Sequence, residues 1–237
     1  MKSRFLLWPL GIAGLLVIAA PNALFPYPRP ATDASFAADK GKFRILQQGN
    51  EAGTEEFDLE GAGSTWVLQE QTVIRVAGSP EMRTSGELHV SADGTPQRYT
   101  WNAEGTKKAS GVVNFEGGTA KTSITVPGGK QPIQQDFKFT SARIAVLDNN
   151  LYDQYAVLGR IYDWQAKGTQ TFPVLIPQDA TPGSIDVESL GPQTIDGGRL
   201  EALRVHSKDL EIEIYFDAKF RLMRLEVPAA KVVIVRQ

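Results

Sequence analysis

The sequence predicts a mainly β fold: one curved antiparallel meander, a β-roll or half-barrel, with a single covering α-helix near residues 150–165. Three observations carry this expectation. Apolar and polar residues alternate with a period of two in run after run. Turn-forming dipeptides separate the runs at short intervals, in a chain that holds 22 Gly. One segment alone changes to a helical period.

The first residues read as an export segment. Lys2 and Arg4 precede an uncharged apolar stretch from Phe5 to Ala20, which carries Pro9, Gly11 and Gly14 and ends at Pro21-Asn22. A spanning helix wants ~20 apolar residues. A basic start with a shorter apolar middle reads as a secretory signal over residues 1–24, with an uncleaved N-terminal anchor through residues 5–20 as the alternative. Either way the remainder is placed outside the cytoplasm, in the periplasm or beyond. Residues 25–40 read as a Pro/Ala-rich linker, because Pro26, Pro28 and Pro30 remove backbone donors. Residues 1 to about 40 are therefore expected to pack against nothing, and a single β-rich domain is expected over 41–237.

The strands follow in order. Phe43 and Ile45 alternate with Lys42 and Arg44; Phe57 and Leu59 alternate with Glu56, Asp58 and Glu60. Trp66, Leu68, Ile74 and Val76 share one parity. Leu88 and Val90 oppose His89, and Tyr99 and Trp101 oppose Thr100. Ile124 with Val126, Phe137 with Phe139, and Ile144 with Val146 continue the pattern. Gly49-Asn50, Gly61 to Gly63, Asp93-Gly94, Gly117-Gly118 and Gly128-Gly129 supply the turns. Beyond residue 170 the runs resume, most clearly where Leu210, Ile212, Ile214 and Phe216 alternate with Glu211, Glu213, Tyr215 and Asp217.

Asp148 to Gln165 breaks the alternation. Leu151, Tyr155, Leu158 and Tyr162 fall on one helical stripe, and Val157, Ile161 and Trp164 on a second flank, so cover on both sides is expected. Asn150 is the expected N-cap and Gly168 the stop. Asp153 and Arg160 point away from the main stripe and are expected to tolerate Ala.

The composition and motifs exclude most catalytic chemistry. A net charge of -2 argues against a basic nucleic-acid surface. The absence of Cys excludes disulfides, thiolate catalysis, Cys-bound zinc and a lipidated N-terminal Cys. His89 and His206 are far apart, share the polar parity of their strands and form no metal motif, so no metal and no cofactor are expected. There is no G-x-S-x-G elbow, and Gly61-Ala62-Gly63 lacks the rest of a dinucleotide fingerprint. Asp148-Asn149-Asn150 begins like a calcium loop but has Asp153 where Gly is needed and Gly159 where the bidentate Glu belongs. Glu211, Glu213 and Asp217 share one strand face at roughly 6–7 Å spacing, which is in the range of glycosidase pairs, yet the same residues are simply the outer face of an amphipathic strand. Glu55-Glu56 is a weaker pair. The positive signal is aromatic. Trp66, Leu68, Ile74, Tyr99 and Trp101 on the sheet, with Leu151, Tyr155, Leu158 and Tyr162 from the helix, could line an apolar cavity.

The segments "LDNNLYDQYAVLGRIYDW" and "YFDAKFRLMRLEVP", set in a long meander behind a signal-like start, resemble the exported bacterial proteins grouped as a domain of unknown function, the DUF3108-like set. The resemblance implies a strongly curved β-sheet or roll, and more distantly a likeness to periplasmic lipoprotein carriers, whose half-barrel holds acyl chains under a helical lid. It brings no catalytic residue. The expectation is a non-enzymatic envelope protein that binds a lipid-like or other apolar ligand between sheet and helix. The alternatives are a solid-core structural or interaction module that meets other envelope proteins, and a glycan-active enzyme using Glu211 and Glu213. Nucleic acid is not an expected partner, and the membrane is one only through an uncleaved N-terminal segment.

Overall fold

The computed structural model describes residues 36–76, 78–105, 108–208 and 210–237. The expected signal or anchor over 1–24 and most of the expected linker lie outside the described residues. The rest is a 15-stranded sheet in the order β8-β7-β6-β5-β4-β3-β2-β1-β15-β14-β13-β12-β11-β10-β9. One half runs β1 (Asp39–Gln47), β2 (Asn50–Ala62), β3 (Thr65–Ile74), β4 (Met82–Ser91), β5 (Pro96–Glu104), β6 (Ala109–Glu116), β7 (Thr119–Thr125) and β8 (Ile133–Lys138). The other half contains β9 (Ala145–Val146), β10 (Gln170–Ile176), β11 (Thr181–Ile195), β12 (Gly198–His206), β13 (Glu211–Phe216), β14 (Leu222–Val227) and β15 (Val232–Arg236). Consecutive strands pair all the way along, except at the step from β8 to β9. There residues 139–144 join the two end strands of the sheet. The first and last strands meet instead, with Ile45 opposite Ile234.

The alternation places the core as expected. Phe43, Leu59, Leu68, Leu88, Tyr99 and Ile234 are fully buried, while the intervening polar residues face outward. Strand β6 was not singled out in the sequence, because Gly111 and the doublet Val112-Val113 blur its alternation. Its Val113 is nonetheless wholly buried. Val76, assigned to the apolar parity of β3, lies beyond the strand end and is exposed.

Three expectations need correction. The fold begins before residue 41: β1 starts at Asp39, and Phe36 stacks on Trp66 with ring centroids 5.8 Å apart. The lead-in shows no periodicity because it is too short, yet it closes the junction between the first and last strands. Arg236 Nη2 lies 2.6 Å from Asp39 Oδ1, with both side chains nearly buried. The meander is also not wholly antiparallel. β9 pairs in parallel with β10, because the intervening helix returns the chain to the same end of the sheet. Finally, the helix α1 is shorter than its sequence pattern, spanning Gln154–Ile161. Asn150 does not cap it. It adopts a left-handed conformation with φ of 62° in the loop before it.

α1 lies inside the curl of the sheet, since it touches both halves. A Cβ at Gly86 of β4 would sit 2.8 Å from Leu151 Cδ1, in the loop leading to the helix. A Cβ at Gly159 of the helix would sit 2.3 Å from Phe216 Cζ of β13. This close approach is the reason for glycine in the helix interior, where it ordinarily costs ~1 kcal/mol.

Breaking one partner of a nearly buried ion pair leaves a charge without compensation, at a cost of about 3–5 kcal/mol. Asp39→Ala is expected to lose that much stability in urea unfolding. Truncation through residue 37, which removes Phe36, is expected to lower the midpoint rather than leave it unchanged.

Candidate functional site

The feature that sets this fold apart is a group of carboxylates in its interior, gathered at the N-terminus of α1. Glu55 and Glu70 come from β2 and β3, Asp148 and Asp153 from the loop that enters the helix, and Asp39 from β1. All five are buried. Glu55 shares the inward parity of Phe57 and Leu59, and Glu70 that of Leu68 and Ile74.

The first four N–H groups of a helix have no partner within it, and carry the positive end of its dipole. Glu55 answers the first of these, at the N-cap, together with the N–H of the residue before it, from across the barrel. Tyr152 N donates to both of its oxygens at 2.9 and 3.0 Å, and Asp153 N to Oε1 at 3.2 Å. Burial, reinforced by the nearby Asp153, pushes the Glu55 carboxyl well above the usual range, against the pull of those two N–H groups. Next to it, Gln154 Nε2 donates to Glu70 Oε2 at 3.0 Å and to the Tyr99 hydroxyl at 3.3 Å. The Gln154 amide oxygen accepts from Asp148 N at 2.6 Å. Tyr99 in turn donates to Asp148 Oδ2 at 2.9 Å, while Asn149 N and Gln178 N donate to Asp148 Oδ1, each at 3.0 Å. Burial raises Asp148 to about 6 in spite of these bonds.

Asp153 stands at the N-cap position but makes no capping bond, and both of its oxygens are buried without a hydrogen-bond partner. Burial raises it to about 7, with Arg160 pulling the other way. Arg160 lies in the last turn, 5.4 Å over the ring of Phe36, with Nε and Nη1 unpartnered. Asp153 and Arg160, expected to point away from the main stripe and to tolerate Ala, are therefore interior groups. The helix is enclosed on every side, so its polar flank is buried along with its apolar stripe.

The sequence-predicted ligand residues occupy the same interior. Leu68, Tyr99, Leu151 and Leu158 are at most 1% exposed, Ile74, Trp101 and Tyr162 are buried, and Trp66 and Tyr155 are partly covered. Leu151 and Tyr99 come together over Gly86, and Trp101 lies against Gly111. At the far end of the helix Trp164 donates to Gly159 O at 2.8 Å and meets Tyr162 and Phe216 edge-on. An open depression of about 330 Å³ on the outer face of β3–β5 is lined by Gln69, Ser85, Gly86, Glu87, Thr100, Trp101 and Asn102.

The other candidates fall on the outer surface. Arg204 reaches both Glu211 and Glu213, at 3.9 and 3.4 Å, and the Tyr215 hydroxyl donates to Glu213 at 2.6 Å. His89 pairs with Glu87 and His206 with Asp186, both half exposed. Among the described residues no group of three acidic or histidine side chains is arranged to hold a metal.

The interior carboxylates were missed because each looked ordinary alone. In sequence Glu55 stands beside Glu56 as an ordinary acidic pair, and Asp148 and Asp153 resemble caps or calcium ligands. The available signal was an acid on the apolar parity of a strand, repeated at Glu55 and Glu70.

A buried donor left without an acceptor costs roughly 1–3 kcal/mol. Glu55→Ala strands two of them and is expected to lose about 2–6 kcal/mol in equilibrium unfolding; Glu55→Gln, which keeps one oxygen acceptor, should lose less. Leu158→Ala should cost ~2–5 kcal/mol, the full value for a packed core leucine.

Four solved chains match the fold. One is a β-barrel-like protein of the domain of unknown function DUF1849 from Brucella abortus, 9% identical, with a TM-score of 0.57 over 87% of this chain and 97% of that one. Another is a DUF1089 family protein from Pseudomonas aeruginosa, 9% identical, with a TM-score of 0.44 over 74% and 90% of the two chains. No family model matches the chain, and no curated protein matches it. At these identities the first likeness shows the fold alone: a β-barrel-like architecture, here a single open curved sheet with one helix.

Proposed function

We propose that the chain is a non-enzymatic, exported scaffold or interaction module of the cell envelope, a β-barrel-like shell whose interior is taken up by its own helix. The observation that carries this reading is the contact between helix and sheet. There is no space for a Cβ at Gly159 against Phe216, nor at Gly86 against Leu151, and the side chains expected to line a cavity are packed core. Export is supported by Lys2 and Arg4 ahead of the apolar stretch from Phe5 to Ala20. Kinship with the DUF3108-like set is part of the same proposal, supported by the segments 147–164 and 215–228 and by the barrel-like fold.

A second reading has a specific observation behind it. Trp66, Tyr99, Trp101, Tyr155 and Tyr162 all belong to or pack against the one continuous core that holds the helix, as a site for a lipid-like ligand would require. In that reading the helix must withdraw before an acyl chain can enter.

Native mass spectrometry of the protein purified from its own envelope separates the two. The scaffold reading predicts a mass equal to the processed polypeptide and no extractable lipid. A stoichiometric lipid that survives purification would establish the carrier instead.

A further inference from the structure

The interior holds more acid than base. Asp39 from β1 is matched by Arg236 from β15. That leaves Glu55 from β2, Glu70 from β3, and Asp148 and Asp153 from the entry loop, against which the described residues set one further buried cation, Arg160 of α1. The remaining titratable groups near the cluster are Tyr99 from β5, Tyr152 from the loop, Tyr155 from the helix and Asp217 beyond β13; burial raises the three tyrosines, so none releases a proton near neutrality. One oxygen of Glu70 and both oxygens of Asp153 are buried with no donor facing them. A carboxylate in that position is stabilised by a proton far more than by anything else the interior offers.

We propose that seating α1 inside the barrel is linked to proton uptake by Glu55, Glu70, Asp148 and Asp153, so that acid tightens the helical plug and mild alkali loosens it. In the seated state these acids bind protons more tightly than in a state that exposes them to water. The seated form therefore holds more protons between the ordinary carboxylate range near pH 4 and the raised values, about 6 for Asp148 and about 7 for Asp153. Its stability is full below that window and falls as pH rises through it. The sense is opposite to that of salt-bridged surface acids, whose stabilisation is lost on acidification. The inference is independent of whether the barrel carries a ligand.

The test is hydrogen exchange of the helix amides, read against pH after correction for intrinsic rates, with the urea midpoint measured in parallel. The protection of residues 156–161 is expected to fall between pH 4 and pH 7, by up to about tenfold per pH unit for each carboxylate that titrates. Glu70→Gln and Asp148→Asn, which place a neutral amide where the proton would be held, are expected to flatten the profile. Should either variant fail to fold, the wild-type profile still decides. Helix protection that is constant across this range, or that rises with pH, would overturn the proposal, as would variants that fold and keep the wild-type slope.

Discussion

The interior of this barrel is organised around one contact: the Glu55 carboxylate accepting the backbone N–H groups of Tyr152 and Asp153. A short helix in water is marginal, and this one has only eight residues. It persists because the sheet supplies what its own sequence lacks, an acceptor at the positive end and apolar cover on every side. The contact joins residues 97 positions apart, so it also ties the β1–β8 half of the sheet to the chain that leads into the other half. The remaining interior bonds follow from it. With the N-terminus fixed at Glu55, Gln154 reaches Glu70 and Tyr99, and Asp148 is held between Tyr99 and Gln178.

The same arrangement bears on how the sheet closes. β8 and β9 do not pair, yet the β-barrel-like shape needs its two ends held near each other. Ile161 of the helix packs on Gly94, in the turn between β4 and β5 of one half, while Gly159 packs on Phe216 of the other. The helix thus acts as an internal strut across a sheet that lacks a complete hydrogen-bonded circuit. A reading in which it merely lids a cavity assigns it less than these contacts show.

Most of the sheet was legible in the sequence because one physical rule governs it. A strand with one face in the core must alternate, so Phe57 and Leu59, Leu88 and Val90, and Ile212 and Ile214 announced both strand and orientation. The rule weakens where glycine or a β-branched doublet interrupts it, as at Gly111 to Val113. It is silent on lead-ins as short as Phe36 to Lys40. The helix was legible as a stripe, but its limits were not: Leu151 and Tyr162 belong to the stripe in space and lie outside the helix, because packing extends the pattern past the last helical turn. The interior acids were the least legible. Periodicity places Glu55 and Glu70 on the inward face, but only the tertiary fold shows the helix end that answers the first and the crowding around the second.

The central claim is that, at mildly acidic pH, α1 is part of the core rather than a movable lid. A thiol in place of Ala156, which is fully buried on the helix, gives a direct reading because the chain has no cysteine of its own. Labelling of Ala156→Cys by a small thiol reagent at pH 6, under native conditions, measures how often the helix leaves its site. The account predicts that labelling occurs only through global unfolding, with the same free energy that urea denaturation gives. Rapid labelling while the sheet remains folded would contradict it, and would return the helix to the role of a lid.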